Sequence, residues 1–280
     1  MSDDYRFGVI GHNISYSKSP DIFRVIFDLN KINGSFDIIN IKPEDFAVLF
    51  PELTGSGICG LSITTPYKIT VVEYLDDIDP VGKAINAVNS ISINNGNVRG
   101  FNTDCYGFSM PLRKYQKKLI GGSALILGCG GVAGAVLYSL HNDYEIRDFT
   151  ILSRTEDRLQ AFKTCFTRQF QNIMMNTIHG ESLSAKVSDR WNIIVNCTPL
   201  GGWNLPDDLP IPEHFNLPSG MIYYDLNYNR GNKAVALARD TGLDVIDGSA
   251  MLVWQAIRSF YLWTGRDVRF EQVYGQIFVE

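Results

Sequence analysis

The 280-residue sequence lacks the features that mark membrane-spanning, secreted and nucleic-acid-binding proteins. No apolar run reaches about 18 residues, so we expect no transmembrane helix. The N-terminal stretch MSDDYRFGVIG has no basic leader followed by a long apolar segment, so we expect no signal peptide. A net charge of −5 provides no general attraction to nucleic acids or anionic membranes, and we predict neither as a partner.

Cysteine and histidine are sparse and scattered. Five cysteines without a C-x-x-C pair are typical of reduced thiols, which predicts a cytoplasmic location. Four histidines form no ligand-spaced cluster with one another or with the cysteines, so we expect no metal site. These residues are Cys59, Cys105, Cys129, Cys165, Cys197, His12, His141, His179 and His214.

Apolar β-type runs alternate with helix-like stretches along almost the whole chain. Hydrophobic residues make up 45% of the sequence and charged residues 20%, which favours a globular protein over a disordered one. The alternation predicts an α/β fold with mainly parallel sheets. Because the pattern restarts near residue 106, we predict two domains.

The first predicted helix begins at SPDIF. Ser19 is the expected N-cap and Pro20 the first helical residue. Ile22, Ile26 and Leu29 recur on one helical face, which predicts that this face is buried.

Three later segments also have clear local signals. SISINNGNVRGFN predicts a hairpin that turns at Asn95-Gly96. Residues 105–118 read as one helix that leads away from the first domain. Residues 249–265 read as a long apolar helix that ends at Gly265.

The stretch ALILGCGGVAGAVL is typical of a dinucleotide-binding turn between a strand and a helix. Gly128 permits the tight turn, Gly130 lets the backbone approach a pyrophosphate, and Ala133 provides a small residue where helix meets strand. The helix N-terminus then faces the phosphates with its N–H groups. Tight turns need glycine in any case, so the pattern alone is a weak signal.

The next strand exit indicates which cofactor is bound. NAD-binding folds usually place an acidic residue there to hold the ribose 2′-hydroxyl, whereas this chain has Ser153, Arg154 and Thr155. An arginine and hydroxyl side chains suit a 2′-phosphate, which predicts NADP. Arg158 would share a face with Arg154 if a helix starts here. The alternative is an ordinary strand exit with surface arginines.

Eight blocks along the chain match one protein family in the same order. In these blocks the chain resembles the shikimate dehydrogenase family over nearly its whole length. The blocks are SKSP (17–20), TTPYK (64–68), NAVNSI (86–91), GFNTDCYG (100–107), GCGGVAGA (128–135), SRT (153–155), NCTPLG (196–201) and DGSAMLVWQAIRSFYLWTG (247–265).

The resemblance implies reversible, NADPH-dependent reduction of 3-dehydroshikimate to shikimate in aromatic amino-acid biosynthesis. It implies a substrate-binding domain, residues 1–106 and 249–280, with a mixed, mainly parallel sheet. A Rossmann-type NADP-binding domain would comprise residues 107–248, and the C-terminal helix would return to the first domain. Two such lobes imply a closing cleft. We expect a monomer or homodimer.

Lys68 and Asp104 match the catalytic pair of the family. Hydride transfer to a ketone builds negative charge on oxygen, so a cation and proton donor beside that oxygen lowers the barrier. Asp104 would orient Lys68 and accept a hydrogen bond from a ring hydroxyl. Outside this family context, Lys68 would be read as a solvated loop charge.

The resemblance also implies the remaining site residues. On the substrate side, Ser17, Ser19 and Tyr228 would hold the carboxylate, while Thr64, Asn89 and Gln255 would contact the ring; Ser19 could instead only cap its helix. The implied cofactor-side residues are Gly128, Gly130, Gly131, Ala133, Ser153, Arg154, Thr155, Arg158, Thr198, Gly248 and Met251. Simple helix core is the alternative for Met251.

Four positions depart from the family pattern: Tyr16, Ser62, Gly202 and Arg230 replace a usual histidine, asparagine, methionine and proline. Ser62 is a shorter donor than asparagine, which leaves open a broader quinate/shikimate dehydrogenase, possibly using NAD. A non-catalytic sensor of the same fold is the alternative from another class. Such a protein would be expected to lose Lys68 or Asp104, and both are present.

Overall fold

The computed structural model describes residues 5–180, 191–211, 219–229 and 231–278. His214 and Arg230 therefore lie outside the described residues. The chain divides into two compact units, one formed by Met1–Gly107 with Leu252–Glu280 and the other by Phe108–Met251. The domain limits predicted from the sequence, after residue 106 and before residue 249, lie next to these divisions.

The strands are numbered in chain order. They are β1 (Tyr5–Gly11), β2 (Gly34–Asn40), β3 (Gly60–Ile63), β4 (Asp77–Ile78), β5 (Ser90–Asn94), β6 (Asn97–Phe101), β7 (Ser123–Leu127), β8 (Asp148–Ser153), β9 (Met174–His179), β10 (Ile193–Asn196), β11 (Ile222–Asp225) and β12 (Asp244–Ile246).

The α-helices are numbered in the same way. They are α1 (Ser19–Asn30), α2 (Phe46–Thr54), α3 (Pro80–Ile85), α4 (Asp104–Leu112), α5 (Gln116–Leu119), α6 (Ala133–Tyr144), α7 (Glu156–Gln169), α8 (Lys233–Asp240), α9 (Gly248–Thr264) and α10 (Phe270–Ile277). None of the helices in the described part of the chain has the length and apolar character needed to cross a bilayer.

The sheet of the first unit is mixed, with strand order β2-β1-β3-β5-β6-β4. β1 pairs in parallel with β2 and β3, and β4 with β6, whereas β5 is antiparallel to both of its neighbours. The predicted hairpin is confirmed: Asn95 and Gly96 join β5 to β6 with φ values of 51° and 79°. Positive φ at both positions is the conformation of a type I′ turn.

Both faces of this sheet are covered. On one face, α1, α9 and α10 form a core around Phe7, Phe23 and Phe260; on the other, α2 contributes Phe46 and Phe50 to a second core. These helices hold the sheet between two apolar layers, so the strand ends have fixed positions.

The start and the buried face of α1 differ from the prediction. The helix begins at Ser19, so the N-cap is Lys18 and not Ser19. Leu29 is 36% exposed, whereas Phe23 and Phe27 are buried together with the isoleucines that precede them by one residue. The buried face of α1 therefore includes Phe23 and Phe27, and Leu29 lies outside it.

The helix predicted over residues 105–118 is broken into α4, a 3₁₀ turn over Arg113–Tyr115, and α5. Pro111 lies in the last turn of α4. A proline inside a helix cannot donate the i→i−4 hydrogen bond, and its ring conflicts with the carbonyl one turn earlier, so Pro111 weakens the last turn of α4.

The second unit has an all-parallel sheet with strand order β12-β11-β10-β7-β8-β9. Read from β9, this is the 3-2-1-4-5-6 order of the Rossmann fold. The order reverses between β7 and β10, and ligands of such sheets bind beyond the carboxyl ends of the strands at this point. The glycine turn follows β7, and the NCTPLG stretch continues from the end of β10.

Candidate active site

Lys68 lies just beyond a tight turn that follows β3. The carbonyl of Thr64 accepts a hydrogen bond from the Tyr67 N–H at 2.9 Å, which closes the turn around Pro66. Tyr67 is 2% exposed, and its ring stacks on Phe46 with centroids 4.3 Å apart. The buried tyrosine anchors the turn in the core and thereby fixes the position of Lys68.

Lys68 and Asp104 form a largely buried ion pair. The Nζ atom lies 2.6 Å from Oδ2, and the side chains are 16% and 6% exposed. Asp104 is the first residue of α4, and Asn102 accepts the Cys105 N–H with its side-chain oxygen at 3.3 Å. The first turn of the helix therefore fixes the position of the Asp104 carboxylate, and the helix dipole stabilises its negative charge.

Asn89 and Gln255 join this pair. Asn89 donates from Nδ2 to the second oxygen of Asp104, Oδ1, at 2.9 Å, and Nδ2 lies 3.4 Å from Gln255 Oε1. Both amide side chains are buried. The structure thus brings four of the predicted residues together, a cation, a carboxylate and two amides, in an arrangement that can bind ring hydroxyls and stabilise a developing oxyanion.

Thr64 and Ser62 are set two residues apart at the end of β3. Thr64 is half-buried and packs against β1, since a Cβ on Gly11 would lie 2.6 Å from its methyl group. Ser62 is 7% exposed, and its hydroxyl has no hydrogen-bond partner in the described part of the chain. An unpaired buried hydroxyl is unusual in a folded protein.

Ser17 and Ser19 interact with each other locally. The Ser17 hydroxyl accepts a hydrogen bond from the Ser19 N–H at 3.3 Å, and Ser19 is 6% exposed. No hydrogen bond among the described residues joins either serine to Lys68 or Asp104. Their predicted contact with a substrate carboxylate remains a prediction.

Two glycines in the glycine turn of the second unit, Gly128 and Gly130, have different structural roles. Gly128 has φ +94°, and its N–H donates to the Leu152 carbonyl at 2.7 Å, so it makes the tight turn between β7 and α6. A Cβ on Gly130 would meet nothing within 4 Å. Gly131 is half-buried, and Ala133 is fully buried where α6 begins. The backbone at Gly130 is therefore open to a ligand.

The exit of β8 carries the predicted 2′-phosphate residues. Ser153 is buried and accepts a hydrogen bond from the Cys129 thiol at 3.2 Å, which ties it to the glycine turn. Arg154, Thr155 and Arg158 are exposed. Because α7 begins at Glu156, Arg154 precedes the helix, so the condition under which it would share a helical face with Arg158 is not met.

The loop after β10 packs against the glycine turn. Thr198 donates from its hydroxyl to Asn196 Oδ1 at 2.6 Å, and a Cβ on Gly128 would lie 3.0 Å from the Thr198 methyl group. Asn227 donates from Nδ2 to the Thr198 carbonyl at 3.1 Å. Asp225 is fully buried and accepts hydrogen bonds from both asparagines, while burial raises the pKa of its carboxyl above the ordinary value.

Three further predicted residues lie in this second unit. Tyr228 is half-buried in the segment after β11. A Cβ on Gly248 would overlap the Leu226 carbonyl oxygen, so the start of α9 needs glycine for this close approach. Met251 is 7% exposed in the first turn of α9.

These residues fit an NADP molecule. The space over Gly130 admits a pyrophosphate, and Val132, the N-cap of α6, has no side-chain acceptor that would compete for the helix N–H groups. Arg154 and Arg158 are cations suited to a 2′-phosphate. Across the described residues, no group of three or more histidine, cysteine or acidic side chains is arranged to hold a metal ion. All five cysteines lie in the described part of the chain as reduced thiols.

Several residues at these sites were not predicted. Thr103 and Ser259 hydrogen-bond beside Asn89, and Asp225 and Asn227 hold the loop that carries Thr198. Thr103 lies within the GFNTDCYG block, and Ser259 lies one helical turn after Gln255, which were the available signals. Their contacts depend on long-range packing that no local pattern encodes.

Comparison with known proteins identifies the family. Residues 9–91 match the shikimate dehydrogenase substrate binding domain, and residues 248–278 match the shikimate 5'-dehydrogenase C-terminal domain. The shikimate dehydrogenase (NADP(+)) of Clostridium botulinum strain Hall is 33% identical over 260 residues, covering 92% of this chain and 96% of its own length. That of Dehalococcoides mccartyi strain CBDB1 is 35% identical over 272 residues, covering 95% and 93%.

A solved structure agrees with these relatives. Shikimate 5-dehydrogenase from Thermus thermophilus, in complex with NADP(H) and shikimate, superposes with a TM-score of 0.82 at 26% identity, covering 96% of this chain and 97% of that one. The motifs, the two sheets and these relatives agree. The chain therefore belongs to the shikimate dehydrogenase family.

Proposed function

We propose that this protein is an NADP-dependent shikimate dehydrogenase that reversibly reduces 3-dehydroshikimate to shikimate in aromatic amino-acid biosynthesis. The observation that carries the proposal is the buried Lys68–Asp104 pair with Asn89 on the second carboxylate oxygen. This is the group that reduction of a ring ketone requires, because negative charge develops on the ketone oxygen. The curated relatives, named as NADP-dependent enzymes of this activity, support it.

In the reduction direction, Lys68 binds the ketone oxygen and stabilises the charge that develops there. The ketone oxygen takes up a proton, either from the Lys68 ammonium or from a water molecule that Lys68 positions, and Asp104 holds the ammonium in place while accepting a hydrogen bond from a neighbouring ring hydroxyl. NADPH, when bound, supplies the hydride. Asn89 and Gln255 orient the ring from the other side of the carboxylate. The pH dependence of kcat and the solvent isotope effect on kcat of the wild-type enzyme test whether Lys68 itself donates the proton.

We assign the remaining substrate contacts because their positions match the family's motifs. Ser17, Ser19 and Tyr228 bind the ring carboxylate, and Thr64 lines the ring pocket at the end of β3. Ser17 lies in a loop after β1, and its hydroxyl oxygen accepts a hydrogen bond from the Ser19 backbone N–H. The hydroxyl proton is therefore available to donate to a carboxylate oxygen.

The cofactor contacts follow the carboxyl ends of the parallel strands. Gly128, Gly130, Gly131 and Ala133 receive the pyrophosphate at the start of α6. The other contacts are grouped by strand: Ser153, Arg154, Thr155 and Arg158 bind the 2′-phosphate, and Thr198, Gly248 and Met251 lie on the nicotinamide side.

Ser62 favours a second candidate, a quinate/shikimate dehydrogenase. Its buried hydroxyl lacks a partner among the described residues, and serine is a shorter donor than the asparagine usual at this position, so a ring hydroxyl would be held less well. Use of NAD is disfavoured by Arg154, which replaces the acidic residue that a 2′-hydroxyl needs.

We further propose that the protein acts in the cytoplasm, as a monomer or a homodimer, on small-molecule substrates alone. Five cysteines that remain thiols suit a reducing compartment. The net charge of −5 gives no general affinity for nucleic acids or anionic lipids.

An initial-rate matrix tests the proposal: shikimate and quinate, each with NADP and NAD. We expect shikimate with NADP to give the highest kcat/KM. Equal rates with quinate would replace the assignment with the second candidate. Higher rates with NAD would overturn the role of Arg154, and absence of turnover with all four pairs would remove the enzyme assignment.

A further inference from the structure

Asn89 lies at the centre of a buried hydrogen-bond chain that extends beyond the four residues of the proposed site. Its Oδ1 atom accepts a hydrogen bond from the Thr103 N–H at 2.6 Å. A backbone N–H can only donate, so the oxygen of this amide must face Thr103 and the nitrogen must face Asp104. The orientation of Asn89 is thereby determined by the loop that leads into α4.

The Thr103 hydroxyl continues the chain. Its Oγ1 lies 3.0 Å from Asn89 Nδ2 and 3.1 Å from Ser259 Oγ. Thr103 is 2% exposed and Ser259 is fully buried. The two protons of Asn89 Nδ2 thus have two near acceptors, the Thr103 hydroxyl and the Asp104 carboxylate.

Ser259 connects this chain to α9. It lies one helical turn after Gln255, whose Oε1 also approaches Asn89 Nδ2. The loop before α4 and the helix α9 therefore meet through a pair of hydroxyls directly behind the amide that binds Asp104. In a buried network of this kind, each hydrogen bond restricts the geometry of the next.

We propose that Thr103 and Ser259 are positioning residues. Their hydroxyl pair fixes the Asn89 amide, the amide fixes the Asp104 carboxylate, and the carboxylate holds Lys68. The effect on turnover rests on the proposed function, whereas the geometry does not. Loss of either hydroxyl weakens the contact at Asn89 Nδ2 while the Thr103 N–H still holds Oδ1, so the amide shifts and Asp104 holds Lys68 less well.

Four variants separate this role from simple core packing. Thr103→Val keeps the shape of the side chain and its backbone N–H but removes the hydroxyl, and Thr103→Ser keeps the hydroxyl. Ser259→Ala removes the other member of the pair. Ser90→Ala is the matched control, because Ser90 follows Asn89 in the chain, is fully buried, and has a hydroxyl without a partner among the described residues.

We expect Thr103→Val to lower kcat/KM for shikimate about tenfold and Ser259→Ala severalfold, while Thr103→Ser and Ser90→Ala stay within about twofold. The KM for NADP should be unchanged in all four. Combining Thr103→Val with Ser259→Ala should cost less than the product of the two single effects, because both break one chain. A Thr103→Val enzyme as active as Thr103→Ser would overturn the proposal.

Exchange of the Asn89 side-chain amide protons, followed by NMR, gives a readout that needs no turnover. We expect faster exchange in Thr103→Val and Ser259→Ala than in the wild type, with Ser90→Ala unchanged. Equal exchange in all variants contradicts the positioning role. If the wild type does not oxidise shikimate, the proposed function fails, and this exchange measurement still decides the inference.

Discussion

Lys68 Nζ lies 2.6 Å from Asp104 Oδ2, although β4, α3, β5 and β6 come between the two residues along the chain. The two side chains are mostly shielded from water, so their attraction is screened less than that of a surface pair. The carboxylate also accepts the Asn89 amide. One acidic group thus receives a cation and a neutral donor on its two oxygens, which fixes the lysine.

Asp104→Asn should lower kcat/KM for shikimate by about 100-fold or more, because the amide presents an N–H group to Lys68 or to Asn89 and removes the ion pair. Steady-state kinetics at saturating NADP measures this. Asp77→Asn is the matched control, since Asp77 pairs with Lys83 at 3.1 Å on an exposed surface. The control should keep wild-type kinetics; equal losses in both variants would point to a general effect of charge.

Arg154→Ala should raise the KM for NADP roughly 10- to 100-fold and leave the KM for NAD nearly unchanged, because only NADP carries the phosphate that the guanidinium binds. Arg168→Ala is the control: it lies exposed in the last turn of α7, at the far end of the helix that follows Arg154. Parallel losses with both cofactors would show that Arg154 supports the fold of this loop and not the choice of cofactor.

Substitution of two glycines by alanine should have different effects on stability and on NADPH binding. Gly130→Ala should unfold within about 2 °C of the wild type, because its Cβ meets nothing, yet weaken NADPH binding at the open backbone. Gly248→Ala should lower the unfolding temperature by roughly 5 °C, because its Cβ overlaps the Leu226 carbonyl. Thermal unfolding and fluorescence titration with NADPH measure both effects. An unstable Gly130→Ala protein would contradict the assignment of this glycine to ligand approach.

Asp225 should make the free energy of unfolding depend on pH. Burial raises the pKa of its carboxyl from about 3.8, although Asn196, Tyr223 and Asn227 donate hydrogen bonds to it. The folded state then holds the proton more tightly than the unfolded state. Its contribution is therefore greatest below pH 3.8 and is lost as pH rises through the raised folded-state pKa.

Urea unfolding of the wild type and of Asp225→Asn across this pH window isolates the effect, since the amide does not titrate. The difference in free energy of unfolding should shift in favour of the variant as pH rises. A shift in the opposite direction would show that the hydrogen bonds to the carboxylate outweigh its burial.

Periodicity and turn residues were enough to predict most of the fold. The Asn95-Gly96 hairpin and the strand–glycine–helix unit at Gly128 rely on local chemistry, and both are present. β9 and α10 were not predicted: the turn residues Asn172 and Gly180 flank MMNTIH, but its sequence has no clear alternation, and no proline or glycine directly flanks FEQVYGQI. Burial against neighbouring elements stabilises these segments, and local sequence does not encode that burial.

The site was predictable in a different way. Lys68 and Asp104 are both isolated polar residues, and their pairing came from the order of motifs along the chain. The structure supplies the contact itself, and with it the Thr103–Ser259 pair, whose members are 156 positions apart. Hydroxyls give no local pattern that would reveal such a contact. Ser19 is the opposite case, because its local capping signal was strong but gave the wrong position. The helix begins at Ser19 itself, so the N-cap is Lys18, one residue earlier.

Turnover of shikimate by Lys68→Ala tests the central claim most directly. With NADP saturating, we expect kcat to fall by roughly 1,000-fold, because the cation beside the reacting oxygen is lost. Lys83→Ala, which removes a lysine paired with an aspartate on the exposed surface, should keep the wild-type rate. A folded Lys68→Ala enzyme with wild-type kcat would contradict the assignment of Lys68 to catalysis.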